Sequence, residues 1–139
     1  MRKFYIRDTG PFPNDGYPLV PERNLVTGTA ELRRRLRVEL TSLEIDLLTL
    51  ASAVYVADLA AKREERELFV RDLCIEIPLV NHQLLAAQAE TIANILYLLS
   101  SDNWTIRILP KGGTQEQPRG WPERFHPPWA NPWARPWAS

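Results

Sequence analysis

The pattern of apolar and polar residues predicts a small α+β domain of order β-α-β-α-β. Two helices lie on one face of a three- to four-stranded sheet, followed by a Pro/Trp-rich C-terminal tail. Three observations carry this reading. Leu73, Ile75 and Ile77 alternate with Asp72, Cys74 and Glu76, and Trp104, Ile106 and Ile108 repeat the same two-residue period of a half-buried strand. Two long apolar stretches of helical period separate the candidate strands. Past Pro110 the composition changes abruptly, because the last 30 residues hold seven of the 12 prolines and four of the five tryptophans.

Residues 1–31 read as a Pro-rich N-terminal arm. Lys3 to Arg7 is a possible additional short strand, and Pro11, Pro13, Pro18 and Pro21 with Gly10 and Gly16 then keep the chain extended or turning. The α+β domain is assigned to residues 32–109 and the flexible linker with the tail to residues 110–139.

The stretch "ELRRRLRVEL" has two readings. As a strand, Leu36, Val38 and Leu40 alternate with Arg35, Arg37 and Glu39. As a helix, Leu36, Leu40, Leu43 and Leu47 open a seam of coiled-coil spacing, and Arg, Leu and Glu favour helix by propensity. Thr41 followed by Glu44 has the spacing of a capping box, which belongs at a helix start. The expectation is therefore strand, a break near residue 41, and helix from about 42 to 63. That helix is apolar round much of its circumference, so it is expected to be largely buried. A second helix, about 82 to 101, has Asn81 as its candidate cap and Leu85, Ile92, Ile95, Leu96 and Leu99 as its inward stripe. Asp102 and Asn103 turn the chain into the last strand.

The chain of 139 residues has room for one domain. Lys+Arg and Asp+Glu are both 17, so no net charge pulls the chain toward nucleic acid or anionic lipid. Cys74 is the only cysteine, which rules out an internal disulfide and a cysteine-built zinc site. No stretch has the apolar length of a membrane span and the N-terminus lacks a signal-peptide core, so a soluble cytoplasmic protein is expected.

Candidate chemistry is sparse. Asp8-Thr9-Gly10 is the triplet of retroviral-type aspartic proteases, which pair two carboxylates across a dimer axis. Arg7 and Pro11 flank it, and a turn after a short strand explains it as well. His82 and His126 are the only imidazoles and no metal-ligand spacing surrounds them, so neither a metal nor a cofactor is expected. Gly112-Gly113 opens no helix and so lacks phosphate-loop character. Cys74 has no adjacent cation in sequence and reads as inert. No catalytic residue is assigned. Arg33, Arg35 and Arg37 would form a stripe able to track phosphates if they lay on a strand, or else a charged, solvated edge.

The tail "PPWANPWARPWAS" repeats Pro-Trp-Ala three times at four-residue spacing. Proline-rich segments lose little entropy on binding, so Trp121, Trp129, Trp133 and Trp137 are candidate anchors for a protein partner. The alternative is that they fold back over an uncovered face of their own domain.

The blocks "LTSLEIDLLTLASAVYVADLAAKR", "RDLCIEIPLVN" and "ANILYLLSSDNWTIRIL" resemble the N-terminal region of bacterial 7-cyano-7-deazaguanine synthase-like proteins of antiphage defence operons. The matching features are an apolar helix ending Ala-Val-Tyr-x-Ala-Asp (Leu47 to Asp58), a strand ending Ile-Pro, and a Leu-Ser-x-Asp-x-Trp turn and strand (Leu99 to Ile106). The resemblance covers roughly residues 36–109. The Ser-Gly-Gly-x-Asp-Ser loop that holds ATP in the catalytic domain is absent, as is the zinc-binding cysteine quartet. The resemblance therefore implies a non-catalytic companion part whose partner is a synthase-like enzyme. A small nucleic-acid-binding protein using the arginine stripe and a dimeric aspartic protease built on Asp8 are the alternatives.

Overall fold

The computed structural model describes residues 1–63 and 70–115. Its elements are β1 (Arg2–Ile6), β2 (Tyr17–Leu19), α1 (Thr29–Leu36), α2 (Ser42–Ala60), β3 (Asp72–Leu79), α3 (His82–Ala86), α4 (Ala89–Ser100) and β4 (Asn103–Pro110). The strands form one four-stranded sheet of order β2-β1-β3-β4, and every neighbouring pair is parallel. Helices link β2 to β3 and β3 to β4, so the domain is α/β with crossover connections.

The core lies on one face of the sheet. Phe4 and Ile6 of β1, Leu73, Ile75, Ile77 and Leu79 of β3, and Trp104 and Ile106 of β4 pack with Leu50, Ala53 and Ala57 of α2. Ile92, Ala93 and Leu96 of α4 complete this layer. The expected alternation in β3 and β4 is the observed one.

The first strand of the series is not where the alternation near residue 36 put it. Residues 29–36 are helical, and Arg37 ends the turn in the left-handed region at φ 55°. Glu31 explains the outcome. It accepts from Arg34 Nη2 at 2.7 Å and Arg35 Nε at 2.6 Å, the i,i+3 and i,i+4 pairs that only a helix brings together. Propensity outweighed a two-residue period that had no partner strand. The opening strand is instead β1, the segment read as a possible addition, and β2 lies within the Pro-rich stretch read as an arm. The chain does break before residue 41, and α2 starts with the full capping box: Thr41 Oγ1 accepts from the Glu44 amide, and Glu44 accepts from the Thr41 amide.

The β1–β2 connection is a loop. Gly16 passes so close to β1 that a Cβ there would stand 2.5 Å from the Tyr5 ring and 2.6 Å from the Lys3 carbonyl oxygen. Asp15 then ties the loop down, accepting from Tyr5 Oη at 2.7 Å and Lys3 Nζ at 3.0 Å.

The second helix is two. An i→i+3 hydrogen bond from the Gln88 amide to the Leu85 carbonyl (3.0 Å) marks the step between α3 and α4. Asn81 makes no side-chain cap. Its amide group donates to Asp46 Oδ2 at 2.8 Å and Ser42 Oγ at 3.1 Å, joining the start of α2 to the end of β3. Asp46, itself buried, also accepts from the Val80 and Asn81 amides at 3.2 and 2.7 Å.

Candidate protein-interaction surface

α2 buries Asp46, Leu50, Ala53 and Ala57, one stripe at helical spacing. Alanines at the sheet contact let the helix sit close. The opposite stripe, Leu47, Ala51, Tyr55 and Leu59 at four-residue steps, faces solvent, with Tyr55 66% and Leu59 65% exposed. α4 contains no fully buried residue. It rests on the sheet through Ala89, Ile92, Ala93 and Leu96. Ile95 and Leu99, expected inward, point out, and Leu98 and Leu99 are 80% and 79% exposed. The sheet covers one side of each helix only, so an apolar circumference does not mean burial here.

A groove of about 270 Å³ separates the two helices. Buried Trp104 and half-buried Val54 and Leu96 line it, exposed Tyr55 and Leu99 stand at its rim, and Asp58 and Ser100 add polar atoms. The exposed stripes of α2 and α4 thus meet across the groove.

A buried ionic cluster props this surface from below. The Arg71 amide and Nε donate to Asp102 Oδ1 and Oδ2 at 3.0 and 3.2 Å, and Arg71 Nη2 donates to Oδ2 at 2.6 Å. The same guanidinium donates to the Asp58 carboxylate at 2.5 Å and to the Asp58 carbonyl at 3.0 Å. Arg63 grips Asp102 with both terminal nitrogens at 2.9 and 3.0 Å. Burial pushes the Asp102 carboxyl upward, but hydrogen bonds from the Arg71 side chain and amide and the nearby Arg71 and Arg63 charges hold it below its usual value. Ser100 Oγ accepts from Trp104 Nε1 at 3.0 Å and from the Asp102 amide at 3.2 Å, and donates to the Leu96 carbonyl. Asp58, Arg71, Ser100, Asp102 and Trp104 all belong to the motif blocks, and the fold gathers them into one structural cluster.

The other sheet face is polar. Register places Lys3, Cys74 and Thr105 in one row and Tyr5, Glu76 and Arg107 in the next. Arg7 pairs with Glu76 at 3.4 Å. The hydrogen bond from Tyr5 and then that from Lys3 hold the Asp15 carboxyl below its usual value. The sheet face that the helices leave uncovered is therefore an ion-paired surface.

The remaining candidates are dispersed. Arg33 and Arg35 lie on α1, two residues apart on a helix and so on different sides, and Arg37 follows its end; the straight stripe of a strand is not formed. Asp8 is an exposed loop residue 3.6 Å from Lys111. Cys74 is buried, and burial pushes its thiol up, away from thiolate reactivity. His82 begins α3. Among the described residues no group of three His, Cys, Asp or Glu side chains is placed to hold a metal ion, and no helix is long and apolar enough to cross a membrane. Trp121, Trp129, Trp133, Trp137 and His126 lie outside the described residues.

No protein-family model, curated protein or solved structure matches the chain. Sequence reasoning missed the α2–α4 surface because it equated apolar with buried. The signal was present in Leu98 and Leu99, which sit beside Leu96 on a helix that needs only one apolar stripe.

Proposed function

We propose that the protein is a non-catalytic protein-interaction module whose α2–α4 face docks a partner protein. The observation that carries this reading is the set of solvent-facing apolar side chains on two adjacent helices, Leu47, Tyr55 and Leu59 on α2 and Ile95, Leu98 and Leu99 on α4, with Tyr55 and Leu99 lining one groove. Exposed apolar surface concentrated on one side of a domain marks interaction sites. Tyrosine and leucine around a groove are suited to receive a partner's anchor side chains.

The resemblance of residues 36–109 to the companion region of 7-cyano-7-deazaguanine synthase-like proteins gives the partner its chemistry: an ATP-using synthase-like enzyme of bacterial antiphage defence, with this chain supplying docking surface and no reacting group. The test is co-expression with a synthase-like protein encoded beside it. Copurification that is lost in Leu98→Glu and Leu59→Glu, with both variants folded, supports the reading. A complex indifferent to both substitutions overturns it.

A further inference from the structure

The groove between α2 and α4 has an aromatic floor, an aromatic rim and a carboxylate, and a set of tryptophans of the same chain lies within reach. We infer that an indole of the chain's own Pro-Trp-Ala tail, residues 118–139, seats in this groove over Trp104 and covers it when no partner is bound.

Size is the first argument. An apolar cavity of about 150 Å³ holds a benzene ring, and the groove, at about 270 Å³, accommodates a bicyclic indole. The lining is the second. Proline-rich segments dock on aromatic-lined grooves because their extended form costs little entropy to fix, and here Tyr55 and Trp104 supply the aromatic walls. A buried indole N–H needs an acceptor. The Asp58 carboxylate, 48% exposed and anchored by Arg71, is an acceptor within the lining.

Reach is the third. Ser42 Oγ donates to the Thr114 carbonyl at 3.0 Å, which fixes the start of the last segment at the beginning of α2. Tyr55 stands about 20 Å further along the helix at 1.5 Å per residue. An extended chain spans at most about 3.3–3.6 Å per residue, so the segment from Thr114 to Trp121 can just cover that distance and Trp129, Trp133 and Trp137 cover it with slack.

Tail and partner are then alternative occupants of one groove, which makes the tail a built-in competitor for the docking face. Seating of the tail is measured without any partner, so this inference and the proposed function can fail separately.

The experiment is fluorine NMR of the full chain labelled with 5-fluorotryptophan. Its five signals are assigned by single Trp→Phe substitutions and probed with a soluble nitroxide. The expected result is one tail signal shielded as Trp104 is, at a level unchanged by dilution. Leu99→Glu, and independently Tyr55→Asp, release that signal while Trp104 stays shielded, which also reports that the variants are folded. The inference is overturned if all four tail signals are quenched like free indole. It is equally overturned if shielding survives both substitutions, which seats the tail elsewhere, or disappears on dilution, which assigns the groove to a second copy's tail.

Discussion

Arg71 meets Asp102 with its backbone amide, Nε and Nη2 together, at 3.0, 3.2 and 2.6 Å, both side chains being withdrawn from solvent. The pair joins the residues that immediately precede β3 and β4, and through Asp58 it also holds the end of α2. Removing the Asp102 charge leaves the buried Arg71 guanidinium with only the half-exposed Asp58 carboxylate as its counter-charge. Asp102→Asn is therefore expected to destabilise the domain by about 3–5 kcal/mol, the range for breaking a buried pair. Urea unfolding of the two proteins side by side measures it.

Acid should find the same weak point. The Asp102 carboxyl titrates below the ordinary carboxylate value when folded and near that value when unfolded. Its ionised form thus stabilises the fold above the unfolded value, and this contribution is lost as pH falls through the lower folded one. Melting temperature should decline below about pH 4, and that decline should be shallower in Asp102→Asn, which has no carboxyl to protonate.

At the start of α2, the Thr41 hydroxyl accepts from the Glu44 amide at 3.2 Å and the Glu44 carboxylate accepts from the Thr41 amide at 3.0 Å. Thr41→Ala removes half of this exchange and is expected to cost about 1 kcal/mol. Thermal melts should show a small downward shift with the circular dichroism spectrum unchanged.

Trp104 fills the space under both helices and donates to Ser100. Truncation to Ala is expected to cost about 3–5 kcal/mol, a large fraction of the stability of a small domain. Trp104→Phe keeps an aromatic ring and loses the hydrogen bond to Ser100 Oγ, which retains its bonds to the Asp102 amide and the Leu96 carbonyl, and should cost distinctly less. Chemical denaturation midpoints rank the three proteins.

Gly16 has no room for a side chain, since a Cβ would overlap the Tyr5 ring and the Lys3 carbonyl. Gly16→Ala must move the loop off β1 and with it the Asp15 carboxylate. The Tyr5 phenol, raised first by its hydrogen bond to Asp15, should then titrate at lower pH, which ultraviolet difference spectra can follow.

The parts of the fold legible in the sequence were those where periodicity and burial coincide. β3 and β4 turn one face to the apolar core and the other to the polar side of the sheet, so Leu73 to Ile77 and Trp104 to Ile108 announced themselves. The capping box at Thr41 was equally local. β2 was hidden because it is three residues long with Pro18 in its middle, and only its parallel neighbour β1 makes it a strand. α1 was misread because Leu36, Val38 and Leu40 alternate by accident in a segment that buries nothing. Of the interaction surface, the composition of α2 and α4 was visible. Which half of each helix stays outside depends on how much sheet lies beneath, and no local pattern encodes that.

The sheet order also dictates when the protein can fold during synthesis. β1 pairs with β3 at Phe4 and Ile75, so the first strand leaves the ribosome with only its short β2 neighbour for company. Its apolar residues wait until the second half of the chain emerges. β4 then closes the far edge against β3. Pairings this distant in sequence are slow to form and leave strand edges open meanwhile. A nascent chain halted before β3 therefore presents Phe4, Tyr5 and Ile6 without their main partner, which makes that interval the one in which a chaperone has most to hold.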